Sequence, residues 1–257
     1  MRLGIVFLLL ILAVNTGFAK VITQTVEYQD GDQVLEGYLA YDDAIQGKRP
    51  GILVVHEWNG LGRYVQSRAK QLAELGYVAF AADIYGKGVR PSTVDESKAM
   101  SGKFYANRKL LRERANAGLD QLEKNELVDT SKIAAIGYCF GGTTVLELGR
   151  SGAPVAGIVS FHGGLGNPNP ADDGNIKAKV LVLQGGADNF TLADVPAFKK
   201  SLDDAKVDYQ FISYPGAVHG FTNPDNRGTI PGVKYDANAD KKSWKAMKDF
   251  FKKIFNS

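Results

Sequence analysis

Lys132-Ile133-Ala134-Ala135-Ile136-Gly137-Tyr138-Cys139-Phe140-Gly141-Gly142 joins an apolar run to a cysteine bracketed by glycines. The run, Lys132 to Gly137, predicts a strand, and the residues from about Gly142 to Arg150 predict a helix beginning at once. A strand that turns this sharply into a helix leaves no room for side chains two positions either side of the turn residue. Gly137 and Gly141 meet that demand as nucleophile-elbow glycines. The turn lifts the Cys139 side chain clear of the sheet and aims the backbone N–H of Phe140, at the helix start, toward an oxyanion. A helix N-terminus also favours a thiolate.

The segments around this turn predict its setting. Gly51-Ile52-Leu53-Val54-Val55-His56 is continuously apolar, as expected of a strand buried on both faces. Tyr77–Ala82, Val155–Phe161, Lys179–Gln184 and Tyr209–Tyr214 predict further strands. Helical spacing separates them: Val65, Ala69, Leu72 and Leu75; about Glu96 to Asn125, with a break near Gly102; and about Val195 to Ala205. Residues 84–96 predict a long loop. Val21–Tyr28 and Val34–Tyr41 flank Asp30-Gly31-Asp32, which predicts an antiparallel hairpin. Trp244, Met247, Phe250, Phe251, Ile254 and Phe255 fall on one face of a terminal helix with a lysine-rich back, expected to dock on the sheet. Strands alternating with helices imply an α/β fold with a mostly parallel central sheet flanked by helices. In such sheets, ligands bind beyond the C-terminal strand ends.

Two other strand ends carry matching chemistry. Gly185-Gly186-Ala187-Asp188 follows the strand at 179–184, and Gly216-Ala217-Val218-His219 follows the strand at 209–214. Chain order is thus nucleophile, acid, histidine, the order of α/β-hydrolases. His56 and His162 also stand at strand ends. His162 is expected near the pocket, together with the aromatic residues Tyr85, Phe190 and Phe221.

Composition bounds the alternatives. The chain has 257 residues, 44% hydrophobic, with 31 basic and 28 acidic side chains. That suits one large domain, expected over residues 20–257, and no basic field suggests nucleic acid. No metal-ligand spacing, P-loop or dinucleotide fingerprint occurs, so no metal or cofactor is expected. Met1-Arg2, the apolar run Gly4–Val14 and Gly17-Phe18-Ala19 have the three-part layout of a signal peptide cleaved after residue 19. The apolar run is shorter than the roughly 20 residues of a membrane span. The mature chain is therefore expected in the periplasm or secreted, without a stable membrane span, as a monomer or small homo-oligomer. Its one cysteine has no intrachain partner.

The sequence resembles the dienelactone hydrolase family from about Gly51 to the C-terminus. Four segments carry the resemblance: Val54-Val55-His56-Glu57-Trp58-Asn59-Gly60, Ala82-Asp83-Ile84-Tyr85-Gly86, Gly137-Tyr138-Cys139-Phe140-Gly141-Gly142 and Gly216-Ala217-Val218-His219-Gly220-Phe221. It implies a Cys139–His219–Asp188 triad that cleaves a small-molecule ester or lactone through a cysteine-acyl intermediate. It also implies that Glu57 controls the charge of the thiol, and that the Trp58 N–H joins that of Phe140 in an oxyanion hole. One departure stands out. Family members acting on dienelactones hold the substrate carboxylate with arginines, and Asn223 occupies the place of one. Lys87 or Arg90 remains as a stand-in for the other clamp, and Arg227 lies further along. Two rival functions stay open: an exported binding protein on the same fold, and a single-cysteine protein reactive toward peroxide.

Overall fold

The computed structural model describes residues 20–256; the expected signal peptide, residues 1–19, lies outside them. Eight strands form one sheet: β1 (Val21–Asp30), β2 (Gln33–Asp42), β3 (Arg49–Val55), β4 (Val78–Ala82), β5 (Val128–Tyr138), β6 (Gly157–Phe161), β7 (Lys179–Gly185) and β8 (Tyr209–Tyr214). Their order is β1-β2-β4-β3-β5-β6-β7-β8. The β1–β2 and β2–β4 pairs are antiparallel, and every pair from β4 to β8 is parallel. The hairpin closes through Gly31 and Asp32 alone, with Gly31 at φ 57°, the positive φ that tight two-residue turns require.

Helices cover both faces: α1 (Arg63–Glu74), α2 (Val94–Ala106), α3 (Arg108–Glu123), α4 (Phe140–Arg150), α5 (Val195–Asp204) and α6 (Ala237–Phe255). The pleat of β3 shows why its sequence is apolar throughout. Leu53 and Val55 point into a core shared with α2 to α5, through Phe104, Leu111, Leu119, Val145 and Phe198. Ile52 and Val54 point into the opposite core, shared with α1 and α6 through Val65, Leu72, Met247 and Phe251. The terminal helix thus docks on the sheet as its apolar stripe implies, and no helix among the described residues is long and apolar enough to cross a membrane.

The helical stretch after residue 94 breaks at Asn107, and the expected break at Gly102 is corrected. Gly102 lies inside α2. Asn107 ends α2 and caps α3, its side chain accepting the N–H of Leu110 at 3.0 Å. A short amide that bonds the backbone competes with helix continuation more effectively than an exposed glycine does. At the far end of α4, the buried Arg150 donates to Asp173 (2.7 Å) and Glu147 (3.0 Å), while Arg112 of α3 reaches Glu147 (2.8 Å) and Asp172 (2.6 Å). These paired charges fix α4 against α3 and the short turn at 170–175, away from the end that carries Cys139.

Candidate active site

Because β5, β7 and β8 run parallel, the residues following them emerge at one edge of the sheet. Cys139 follows β5, Asp188 follows β7 and His219 follows β8. The structure brings all three together. His219 Nε2 lies 3.1 Å from Cys139 Sγ, and His219 Nδ1 lies 2.9 Å from Asp188 Oδ2. Asp188 is fully buried, and its carboxylate also accepts from the Phe190 N–H (3.0 Å) and Gln184 Nε2 (3.2 Å). A carboxylate so placed can only accept, so the proton on Nδ1 faces it and Nε2 faces the sulfur. Burial by itself disfavours a charged His219. The adjacent sulfur and the Asp188 carboxylate outweigh it and raise its pKa above the ordinary histidine value.

Cys139 adopts φ 54° and ψ −113°, a conformation an L-residue rarely takes. The elbow closes around it at backbone contact. A Cβ on Gly137 would sit 2.0 Å from the Gly141 carbonyl oxygen, and one on Gly141 would sit 2.3 Å from the Val55 carbonyl oxygen. Phe140 is the first residue of α4, where helix geometry gives the N–H no intrahelical acceptor.

On the neighbouring β3 end, His56 is buried and fixes the peptide after it. Its Nδ1 donates to the Glu57 carbonyl (2.6 Å), and its Nε2 accepts from the Ile84 N–H (3.2 Å). Burial lowers its pKa to about 4, so the ring is neutral near pH 7. The Glu57 carbonyl and the Trp58 N–H share one rigid plane and point oppositely. Holding the first therefore aims the second.

Glu57 is buried, and Asn223 donates to its carboxylate at 2.6 Å. Burial pushes the Glu57 carboxyl up to about 7, against the opposing effects of Asn223, His219 and Arg68. The consequence for stability has a definite sign. Between 4.5, the ordinary value, and about 7 the folded chain holds a proton that the unfolded chain has released. Stability therefore falls as pH rises through that window. Glu57→Gln, which cannot ionise, is expected to be more stable than the wild type by about 3 kcal/mol at pH 8 and by only about 1 kcal/mol at pH 5. Urea denaturation at the two pH values measures this, and an equal gain at both would remove ionisation as its cause.

The remaining expected pocket residues divide. Phe190 is 60% exposed with its ring 5.4 Å from that of His219. Tyr85 is buried; its hydroxyl donates to the Trp58 carbonyl (2.9 Å) and its ring packs on His56 and Phe140. Phe221 and His162 are fully buried, which corrects their expected place on the pocket surface. Phe221 packs beneath the histidine loop against Tyr214 and His162, and both ring nitrogens of His162 are engaged by protein. The substitute clamps are engaged elsewhere: Lys87 pairs with Glu27, and Arg90 bonds the Val89 carbonyl (2.8 Å) near Asp83. Arg227 is exposed on the loop after β8. Tyr105 was not singled out by the sequence, since it is one aromatic within a helical stretch. Its ring stands 5.5 Å from that of Phe140, partly exposed beside the thiol.

Comparison with known proteins decides the family. The model of the dienelactone hydrolase family matches residues 35–255. The chain belongs to the dienelactone hydrolase family. It is accordingly a hydrolase of the ester and lactone class. A solved dienelactone hydrolase-like promiscuous phosphotriesterase from metagenomic libraries is 39% identical, with a TM-score of 0.88 over 91% of this chain and 98% of that one. A putative carboxymethylenebutenolidase of Synechocystis is 27% identical over 84% of this chain and 91% of its own length. A putative dienelactone hydrolase structure from Klebsiella pneumoniae, at 20% identity and TM-score 0.77, shares the fold over 90% of this chain and 98% of that chain. In the dienelactone hydrolase family frame, the α/β fold with its parallel sheet and N-terminal hairpin is shown by these neighbours as well as by the strand pairing.

Proposed function

We propose that this hydrolase cleaves small, uncharged carboxylic esters or lactones through a thioester on Cys139. The observation that carries the reading is the single imidazole bridging Sγ at 3.1 Å and the Asp188 carboxylate at 2.9 Å. His219 accepts the thiol proton as Sγ attacks the acyl carbon, and Asp188 keeps the proton on Nδ1 and steadies the imidazolium. The carbonyl π pair moves onto oxygen, where the N–H groups of Phe140 and Trp58 receive it. Collapse expels the alkoxide, which takes the proton from His219. Water then gives a proton back to His219 Nε2 and attacks the thioester, releasing the acid and restoring the thiol. Glu57, held by Asn223, interacts electrostatically with His219.

The preference for an uncharged substrate rests on the side chains near His219 and Phe140. Phe190 is an exposed aromatic beside His219, Tyr105 stands partly exposed beside Phe140 with Arg108 laid over its ring, and Lys87 and Arg90 are occupied by acids and carbonyls. The expected result is a transient acyl adduct on Cys139, caught by rapid quench and mass spectrometry with an activated aryl ester. A neutral lactone should also be cleaved at least about tenfold faster than its carboxylate-bearing analogue. Absence of the adduct would remove the thioester, and the reverse preference would remove the uncharged substrate.

A further inference from the structure

His162 takes no part in the reaction above, and it is wholly enclosed. Its Nδ1 receives the backbone N–H of Cys139 at 3.1 Å, and its Nε2 lies 2.7 Å from Thr222 Oγ1. Its ring stands edge-on to that of His219 at 5.3 Å. It therefore touches both members of the reacting pair.

The hydrogens in this contact are determined by what each partner can do. A backbone N–H only donates, so Nδ1 must be bare and Nε2 must carry the proton. Nε2–H then donates to Thr222 Oγ1. Behind it, Arg68 Nε, which also only donates, reaches Tyr64 Oη at 3.2 Å. Tyr64 gives its own hydrogen to Thr222 Oγ1, 2.6 Å away. Arg68 also donates to the Thr222 carbonyl (2.8 Å) and pairs with Asp240 on α6. Thr222 is thus oriented from α1 and α6 together. Its Oγ1 meets one donor from Tyr64 and presents its remaining acceptor site to His162.

We propose that His162 is a positioning residue for the hydrolysis: Thr222 locks its imidazole in the Nε2–H tautomer, so that Nδ1 anchors the Cys139 N–H while the ring forms the floor beneath His219. The inference rests on Cys139 and His219 being the reacting pair. The need for an anchor is visible in the backbone. Cys139 is held at φ 54°, and its N–H is shared between the Phe161 carbonyl (3.0 Å) and His162. A strained residue keeps its geometry only when its surroundings over-determine it. His162 itself sits at φ 40°, a region that histidine and asparagine enter more readily than most residues. The groups that face it are His219, Arg68 through Tyr64 and Thr222, and the Tyr138 ring. Burial first, then His219, keeps its pKa well below the ordinary value, so it stays neutral while His219 gains and loses protons.

The test uses the full chain and three variants, His162→Phe, His162→Asn and Thr222→Val. Asparagine Oδ1 occupies the place of Nδ1 and tolerates positive φ. Phenylalanine offers no acceptor. Thr222→Val leaves residue 162 intact and removes the acceptor for Nε2–H, so it serves even where His162→Phe does not fold. With para-nitrophenyl acetate, His162→Phe and Thr222→Val are expected to lower kcat by about 10- to 100-fold with KM within about twofold, and His162→Asn to recover most of the loss. Cys139 is the only thiol, so its alkylation by iodoacetamide across pH reads the pair directly, and the plateau rate should fall in the same two variants. In the wild type, imidazole 15N NMR should show His162 as the Nε2–H tautomer, without titration from pH 5 to 9. An Nδ1–H signature, a titration in that range, or equal losses in the Phe and Asn variants would overturn the proposal. Should the wild type turn over no ester, the hydrolytic reading fails by itself, and the tautomer and alkylation results still decide the role of His162.

Discussion

Cys139→Ala and His219→Ala are each expected to lower kcat/KM for an activated aryl ester by about 10⁴-fold or more, and the double variant to fall little further. The physical ground is that the two side chains form one device. The thiol without the imidazole has no base within 3.1 Å, and the imidazole without the sulfur has nothing to attack with. Either removal ends the proposed thioester route, so the second removal costs almost nothing. What survives is the proposed oxyanion site, which needs neither group and would still stabilise water attack. That residual keeps each variant above the uncatalysed rate. Stopped-flow turnover of the three variants beside the wild type measures all of this. Losses that multiply in the double variant would show two independent contributions rather than one device. Wild-type cleavage no faster than that of Cys139→Ala would sink the cysteine mechanism, leaving the binding and peroxide-reactive alternatives.

The largest expected effect on folding comes from a single methyl group. Gly137→Ala places a Cβ 2.0 Å from the Gly141 oxygen and 2.2 Å from the Gly141 carbonyl carbon. Both atoms belong to backbone, so no rotamer change relieves the overlap. The first turn of α4 must move off β5, and that turn is packed on its other side against β3, where Gly141 meets the Val55 carbonyl. A shift that frees one contact tightens the other. Loss of more than about 4 kcal/mol is expected, enough to leave much of the chain unfolded. Gly102→Ala supplies the contrast. Gly102 is exposed within α2, with nothing within 4 Å of a new Cβ, so alanine there should stabilise by roughly 0.5–1 kcal/mol. Thermal and urea unfolding of both variants decide the matter. A Gly137→Ala protein melting with the wild type would show that strand and helix do not approach this closely.

The difference between these two glycines marks how far the sequence could be read. Gly137 was legible because the elbow is local: strand, turn and helix occupy a dozen neighbouring residues, and the steric demand falls within them. The mostly parallel sheet was legible for the same reason, since apolar runs and helical spacing are short-range signals. Asp188 and His219 were legible through order, because parallel strands send successive ends to one edge. Side-chain direction on loops was not. Phe221 and Phe190 are both aromatics near the candidate site, yet one is sealed beneath the loop and the other stands in solvent. Nothing in their immediate neighbours separates them. Lys87 and Arg90 looked available as clamps because their partners Glu27, Glu36 and Asp83 come from other strands or their ends. The tautomer of His162 depends on Thr222 and, through it, on Tyr64 and Arg68, residues brought together only by the finished fold.

The bond between Asn223 and Glu57 closes a separation of 166 residues, and that between Arg68 and Asp240 one of 172. Ring closure on this scale carries an entropic cost that local hairpins and helices do not meet, and chains dominated by distant contacts fold slowly. The helices and the β1–β2 ribbon can form from neighbours, whereas the reactive centre exists only after the last quarter of the chain has returned to the strands laid down in the first. A chain that stops short of His219 carries the Cys139 thiol without the imidazole that lies 3.1 Å from it in the finished fold. The thiol is thus kept apart from the imidazole until the chain beyond β8 has folded back onto the edge of the sheet that carries Cys139.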